Sequence, residues 1–138
     1  MMKRIYIILI LSLSILIPIG ASSYAANVFV SSYKQNTLAY STSMTPNCDS
    51  GSWFIITATD GVAFAINAPT NVTLTGQEIK ITIKNTSGGA LGVNTPNAIF
   101  KLGAAWPSPA NGKNQTMTFT YDGTNWIETG RTAGDVSN

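Results

Sequence analysis

The sequence predicts a small all-β domain, an antiparallel sandwich or jelly-roll-like fold that follows a cleaved signal peptide. Apolar and polar residues alternate along several short segments, which is the pattern of strands with one buried and one solvated face. Gly, Asn, Asp and Pro residues, which favour turns, separate these segments at intervals of about 8–12 residues. No amphipathic pattern of about ten residues follows the first 25 residues, so a helix is not predicted there.

The strongest hairpin signal lies near the C-terminus, where Thr residues alternate with large apolar residues up to Asp122-Gly123. Asp and Gly both tolerate the positive φ angle that a tight hairpin turn needs. A two-residue loop would place Trp126 opposite Phe119, and a four-residue loop would place it opposite Tyr121. Either register puts Trp126 on the aromatic face of the hairpin.

A second hairpin is predicted from the apolar segments 53–58 and 62–66, with Asp60-Gly61 as the turn. Both faces of this hairpin would be apolar. We therefore expect it to lie between two layers of one domain or at an interface between subunits.

The most regular alternation in the chain runs through residues 78–84. Ile79, Ile81 and Ile83 are predicted to point inward, and the Glu, Lys and Thr residues between them outward. Outward lysines are a common protection of sheet edges. Further strands are expected near residues 28–31, 37–41, 90–93 and 97–102, and turns at Gly88, Gly89 and Gly112.

Residues 1–25 have the order of a secretory signal peptide: Lys3-Arg4, an apolar run, then small residues ending at Ala25. Without them the chain has six Lys and Arg against six Asp and Glu, so it is formally neutral. A neutral chain offers no electrostatic basis for binding nucleic acid or anionic membranes. We expect a secreted or cell-surface protein with one domain at 26–131 and a flexible tail at 132–138.

Few residues offer catalytic or metal chemistry. The chain has no His, the commonest transition-metal ligand, and one cysteine, Cys48, which is either buried and inert or paired between chains. A small hydrolase could use only Glu78 and Glu128 as its carboxylate pair. Asp60 and Asp122 lack the spacing of a calcium loop and are better explained as turn formers. We predict no catalytic residues, no metal site and no cofactor.

Aromatic side chains are the remaining candidates for a binding site. Trp106 precedes a Pro-Ser-Pro segment that cannot be a central strand, and Tyr121 and Trp126 flank a hairpin tip. Such side chains could stack on a sugar ring or anchor a protein interface. The other interpretation, which we favour for Tyr121 and Trp126, is that they fill the core.

Several motifs in a fixed order resemble a small β-rich domain found in phage tail-fibre-like and other virion structural proteins and in uncharacterised exported bacterial proteins. The resemblance covers about residues 50–131. The motifs that carry it are Ala68-Pro-Thr70, Gly76-Gln77, Ile81-x-Ile-Lys-Asn-x-Ser-Gly-Gly89, Phe100-Lys101, Pro109-Ala-Asn-Gly-Lys113 and Phe119-x-Tyr-Asp-Gly-Thr-Asn-Trp126.

This resemblance implies a structural or adhesive module that forms homo-oligomers, such as trimers, in surface appendages, with no catalytic residues to transfer. A signal peptide favours a bacterial surface or extracellular protein over a virion component, because virion proteins assemble in the cytoplasm. Glycan binding through exposed aromatic side chains is the alternative function, with a cell-surface glycan or protein as the partner.

Overall fold

The computed structural model describes residues 33–92 and 94–138, which lie in the second of two compact units, Ser31–Asn138. The described residues form strands and loops and contain no helix, so the all-β prediction is confirmed. None of them therefore belongs to a helix that could cross a membrane. The predicted signal peptide and the strand expected near residues 28–31 lie outside the described residues.

The described residues contain ten strands. They are β1 (Gln35–Leu38), β2 (Ser43–Met44), β3 (Trp53–Ala58), β4 (Ala65–Ile66), β5 (Glu78–Asn85), β6 (Thr95–Pro96), β7 (Phe100–Lys101), β8 (Lys113–Tyr121), β9 (Trp126–Arg131) and β10 (Val136–Ser137). One sheet has the order β1-β3-β5-β8-β9-β7, with β10 also paired to β8, and the other has the order β2-β4-β6.

The first six strands form three stacked coils rather than antiparallel hairpins. Each coil places one strand in each sheet, so β1, β3 and β5 pair in parallel in the large sheet. β2, β4 and β6 pair in parallel in the small sheet. The predicted antiparallel arrangement is therefore wrong for this half of the domain. The chain turns a corner after each strand and enters the other sheet, as in a short β-solenoid.

The hairpin predicted at Asp60-Gly61 does not form. Its two segments contribute β3 and β4, which belong to different sheets. Asp60 Oδ1 accepts a hydrogen bond from the Val62 amide at 2.9 Å, which bends the chain at the corner. The predicted two-sided apolar hairpin is therefore limited to β3, where Phe54 and Ile55 are buried on opposite faces. In the other segment Val62 is 51% exposed while Phe64 enters the core shared with β3.

Two antiparallel pairs, β5 with β8 and β8 with β9, close the C-terminal end of the stack in the large sheet. Tyr121 pairs with Trp126, so the loop contains the four residues 122–125, and the corresponding predicted register is confirmed. A bulge between Thr118 and Phe119 shifts the register along the hairpin. Bulges of this kind increase the local twist of the strand and bend it.

The C-terminal tail, predicted to be flexible, contains β10 instead. Val136 and Ser137 pair with the start of β8. The Asp135 carboxylate accepts hydrogen bonds from the Gln115 side chain at 2.5 Å and from the Ala110 amide at 3.0 Å. The tail is thus ordered by partners that its own polar sequence does not reveal.

The core lies between the two sheets. Ile79, Ile81 and Ile83 are fully buried in it, as their alternation predicts. Thr82 points to the other face of β5 and is nevertheless 3% exposed. The Trp53 indole N–H donates to the Thr82 hydroxyl at 2.8 Å. Other core side chains are Met44, Phe54, Ile56, Ala58, Phe64, Ile66, Leu91, Phe100, Met117, Phe119 and Trp126.

Replacing Gly51 with alanine is expected to destabilise the domain. Gly51 lies where the first two coils stack, and a Cβ atom there would lie 2.3 Å from the Lys34 carbonyl oxygen. Relieving such a backbone clash costs about 1–3 kcal/mol. Gly134→Ala is the control, because nothing lies within 4 Å of its added Cβ. Urea unfolding measures both variants, and equal stabilities would contradict this account of how the coils stack.

Candidate functional site

Trp106 lies against the core in a loop without strand pairing. Its ring stacks on Phe119, with the centroids 5.9 Å apart and an angle of 15° between the planes. It also meets the Phe100 ring edge-to-face at 5.7 Å. Its indole nitrogen is buried and has no hydrogen-bond partner among the described residues. One face of the ring is therefore taken by core contacts and is closed to a ligand.

Tyr121 and Trp126 pack against each other at the end of the hairpin, with ring centroids 5.1 Å apart. Trp126 is fully buried, so it has no surface on which a sugar could stack. The Tyr121 hydroxyl donates to the Gly123 carbonyl at 2.9 Å, which holds the ring beside the turn. Full burial favours the core interpretation of Trp126 over the ligand-contact interpretation.

Glu128 and Arg131 form an ion pair on β9 that holds the loop before Trp106. The Glu128 side chain is 8% exposed, and the Arg131 guanidinium donates to both of its carboxylate oxygens. The Gly103 amide donates to Glu128 Oε2 at 2.8 Å, and Arg131 donates to the Ala105 carbonyl at 2.8 Å. These bonds fix residues 103–105 and so place Trp106 over the core.

Glu128→Gln is expected to lower the free energy of unfolding at pH 7 by about 1–3 kcal/mol, because it breaks a partly buried ion pair whose carboxylate also accepts from the Gly103 amide. The hydrogen bond from Arg131 lowers the pKa of Glu128, with a smaller contribution from the Gly103 amide. A carboxylate whose pKa is lower in the folded state stabilises the fold above its unfolded pKa. This contribution is lost as the pH falls through the folded pKa.

The measurement is urea unfolding at several pH values between 7 and 2. The difference between wild type and Glu128→Gln should shrink toward the acid end. Asp60, Asp122 and Asp135 also have lowered pKa values through their hydrogen bonds, so both proteins will lose some stability in acid. Asp49→Asn, a change at an exposed carboxylate, is the control. A difference that stays constant with pH would contradict the assigned role of Glu128.

Glu78 and Glu128, the carboxylates considered for hydrolysis, do not face each other. Glu78 pairs with Thr120, and Thr120 pairs with Ile127, so Glu78 and Ile127 lie on one face of the sheet. Glu128 is the next residue on β9, and its side chain therefore points to the opposite face. The geometry does not support the carboxylate pair that glycoside hydrolysis needs.

The predicted turn residues divide into two groups. Asp122 Oδ1 accepts hydrogen bonds from the Thr124 and Asn125 amides at 2.8 and 2.6 Å, and Gly123 has a φ of 101°. Gly88 and Gly112 also have positive φ, at 83° and 74°. Gly61 and Gly89 lie in loops without positive φ, so their lack of a Cβ is not needed for backbone conformation.

Cys48 and the acidic residues form no metal centre in the described part of the chain, where no three His, Cys, Asp or Glu side chains cluster. The Cys48 thiol is half-buried beside the core. Burial, assisted by the charge of Asp49, raises its pKa to about 11, which leaves little reactive thiolate at neutral pH. This environment favours the inert interpretation of Cys48 over the inter-chain disulfide.

Asn85 is a buried polar residue at the end of β5 that the sequence did not single out as functional. Its side-chain amide donates to the Gly89 and Pro109 carbonyls, both at 2.9 Å. Its side-chain oxygen accepts from the Ser87 amide at 2.9 Å and from the Ser87 hydroxyl at 2.7 Å. Asn85 therefore joins the loop after β5 to the loop before β8.

A groove of about 180 Å³ opens at one corner of the coil stack, beside the Tyr40 hydroxyl. This hydroxyl donates to Asp60 Oδ1 at 2.7 Å. Burial of the hydroxyl and its bond to Asp60 raise the pKa of Tyr40 to about 12. The sequence did not reveal the groove because the residues that meet there are about twenty positions apart in two different loops.

No protein-family model and no curated protein matches this chain. The function proposed for it is therefore based on its own residues and geometry.

Proposed function

We propose that this chain is a non-enzymatic structural or adhesive β-module that is exported to the cell surface or beyond and associates with copies of itself. The observation that carries the proposal is the three-coil stack, in which β1 and β2 are the end strands of their sheets. Stacked-coil proteins bury their core between neighbouring coils and are extended by adding further units at an open end. The resemblance to tail-fibre-like domains supports the same role.

The positions of several polar and aromatic side chains support this proposal. Trp126 fills the core, Glu128 and Arg131 fix a loop, and Asn85 joins two loops. Their positions give no support to glycan binding by Trp106, Tyr121 and Trp126 as a shared platform. These side chains hold the domain in one rigid shape, which is what a structural module requires.

Self-association is proposed at the β1–β2 end of the stack, beyond which the described residues contain no further coil. Within the described residues, β1 pairs only with β3, and β2 pairs only with β4. An edge strand presents unpaired backbone N–H and C=O groups that a second chain can pair with. A two-fold axis through this end would pair β1 with β1 and β2 with β2 of a second copy, giving a closed dimer.

The experiment is the mass of the purified chain by light scattering coupled to size exclusion, over a range of concentrations and with and without reductant. A dimer supports pairing at the β1–β2 end, and a trimer supports an appendage-type assembly through another surface. A monomer at high concentration would contradict self-association. The raised pKa of Cys48 predicts that reductant leaves the mass unchanged.

Thr37→Lys tests the location of the interface. Thr37 is exposed on β1, and a lysine on an edge strand opposes pairing with another edge. In a two-fold dimer the two new charges would also lie close to each other. The variant should shift the protein toward monomer, whereas Thr124→Lys, in the exposed hairpin loop, should not. The same loss of dimer in both variants would assign the interface elsewhere.

A further inference from the structure

The groove beside Asp60 has the location, lining and size of a site for a small ligand. It lies where the loop after β1 and the loop after β3 stack at one corner of the coils. Its lining consists of Tyr40, Ser41, Thr42, Asp60 and Val62. At about 180 Å³ it is smaller than the roughly 300–1,000 Å³ of sites for drug-sized ligands, so it has room for a single small ring.

The polar side of the groove is held in place by contacts on several sides. Asp60 Oδ1 accepts hydrogen bonds from the Tyr40 hydroxyl at 2.7 Å and from the Val62 amide at 2.9 Å. The Tyr40 ring rests edge-on against Phe64, with centroids 5.7 Å apart. The Gly92 amide, from the third coil, donates to the Gly61 carbonyl at 2.9 Å. A ligand would therefore meet a preorganised surface.

Other groups in the groove remain available to a ligand. Asp60 Oδ2 has no hydrogen bond within the described residues, and neither does the exposed Thr42 hydroxyl. The bond from Tyr40 lowers the pKa of Asp60, so the carboxylate is ionised at neutral pH. Val62 is 51% exposed and gives the groove an apolar side. The groove thus combines a strong acceptor, a hydroxyl and an apolar patch.

We propose that this groove binds one ring of a neutral saccharide. Two neighbouring sugar hydroxyls donate to Asp60 Oδ2, the Thr42 hydroxyl bonds a third, and Val62 covers the C–H face of the ring. Charge-assisted hydrogen bonds to a carboxylate are the strong ones in such a site. A calcium ion fits less well, because it takes about 6–8 oxygen ligands and Asp60 is the only carboxylate in the groove.

The saccharide site goes beyond the proposed structural role and does not depend on it. A single shallow site gives weak affinity, with a dissociation constant on the order of millimolar. Several copies in one oligomer would bind a surface polysaccharide more tightly through multivalency. The monomeric protein would still bind a single sugar.

The test is a titration of the purified, ¹⁵N-labelled chain with glucose, galactose, mannose and N-acetylglucosamine, followed by two-dimensional NMR. At least one sugar should give saturable shifts at the amides of residues 40–42 and 60–62. Because the groove contains no tryptophan, intrinsic tryptophan fluorescence should stay unchanged. Oligomeric state is a separate readout, so failure of either proposal can be recognised independently.

Asp60→Asn is the decisive variant. The asparagine can keep the Oδ1 acceptor used by Tyr40 and Val62, and it replaces the Oδ2 acceptor with an amide donor. Sugar affinity should fall about tenfold or more, as expected for lost hydrogen bonds to a charged group. Asp122→Asn is the matched control, because Asp122 caps a turn in the same way at the hairpin tip. Its affinity should equal that of the wild type.

Three results would overturn the proposal. The first is the absence of saturable shifts for every sugar at concentrations well above millimolar. The second is equal binding by Asp60→Asn and wild type. The third is a response of the groove amides to calcium chloride and to no sugar, which would assign the groove to a cation.

Discussion

Trp126→Ala is expected to destabilise the domain by about 3–5 kcal/mol, the range for truncating a buried large aromatic side chain. Trp126 is fully buried, and its backbone amide donates to the Ile99 carbonyl at 2.9 Å. It pairs with Tyr121 across the hairpin and with Phe100 on the parallel strand β7. The substitution would leave a cavity where β8, β9 and β7 meet.

Urea unfolding measures this loss, with Ile127→Ala as the control. Ile127 is the next residue on β9, points to the other face and is 36% exposed, so its truncation should cost less than about 1 kcal/mol. If Trp126→Ala does not fold, urea unfolding of Trp126→Phe takes its place. The indole nitrogen has no partner among the described residues, so phenylalanine loses no hydrogen bond. Equal costs for Trp126→Ala and Ile127→Ala would contradict the assignment of Trp126 to the core.

Asn85→Ala is expected to cost about 2–4 kcal/mol although it removes only a small polar side chain. Asn85 is fully buried, and all four of its side-chain hydrogen-bonding positions are used. Its loss leaves the buried Pro109 carbonyl and the Ser87 amide without their partner, whereas the exposed Gly89 carbonyl keeps a bond from the Ser87 hydroxyl at 3.1 Å. Each buried polar group left unsatisfied costs about 1–3 kcal/mol.

Asn114→Ala is the control for Asn85. Asn114 lies on β8, is partly exposed and donates to the Ser137 carbonyl at 3.1 Å near the chain end. Its substitution should cost no more than about 1 kcal/mol. Asn85→Asp should be destabilising as well, because a carboxylate cannot donate to the two carbonyls. If Asn85→Ala unfolds at the wild-type urea concentration, the loops it joins are held by other contacts.

The sequence predicted the parts of the fold whose signal is local. The alternation along β5 identified its buried isoleucines, and Asp122-Gly123 identified the hairpin and one of its two registers. Each of these depends on residues that are close together in the chain. Strand periodicity and turn chemistry are therefore sufficient to predict them.

Strand partners were not predictable in the same way. The segment of β3 is apolar on both faces, which fits either parallel or antiparallel pairing. Asp60-Gly61 suits a hairpin turn and a corner between sheets equally well. In the structure the chain turns a corner there, and the Asp60 carboxylate accepts hydrogen bonds from the Val62 amide and from Tyr40, about twenty residues earlier. The same distant contact creates the groove. A single sequence contains no local sign of either.

Hydrogen exchange at two protein concentrations tests most directly whether the β1–β2 end of the coil stack is an interface between copies, as proposed. At high concentration the amides of β1 and β2 should exchange more slowly than in dilute protein, because pairing with a second copy protects them. The amides of β8 and β9 should exchange at the same rate in both. An oligomer that forms while the exchange of β1 and β2 stays unchanged would contradict the claim.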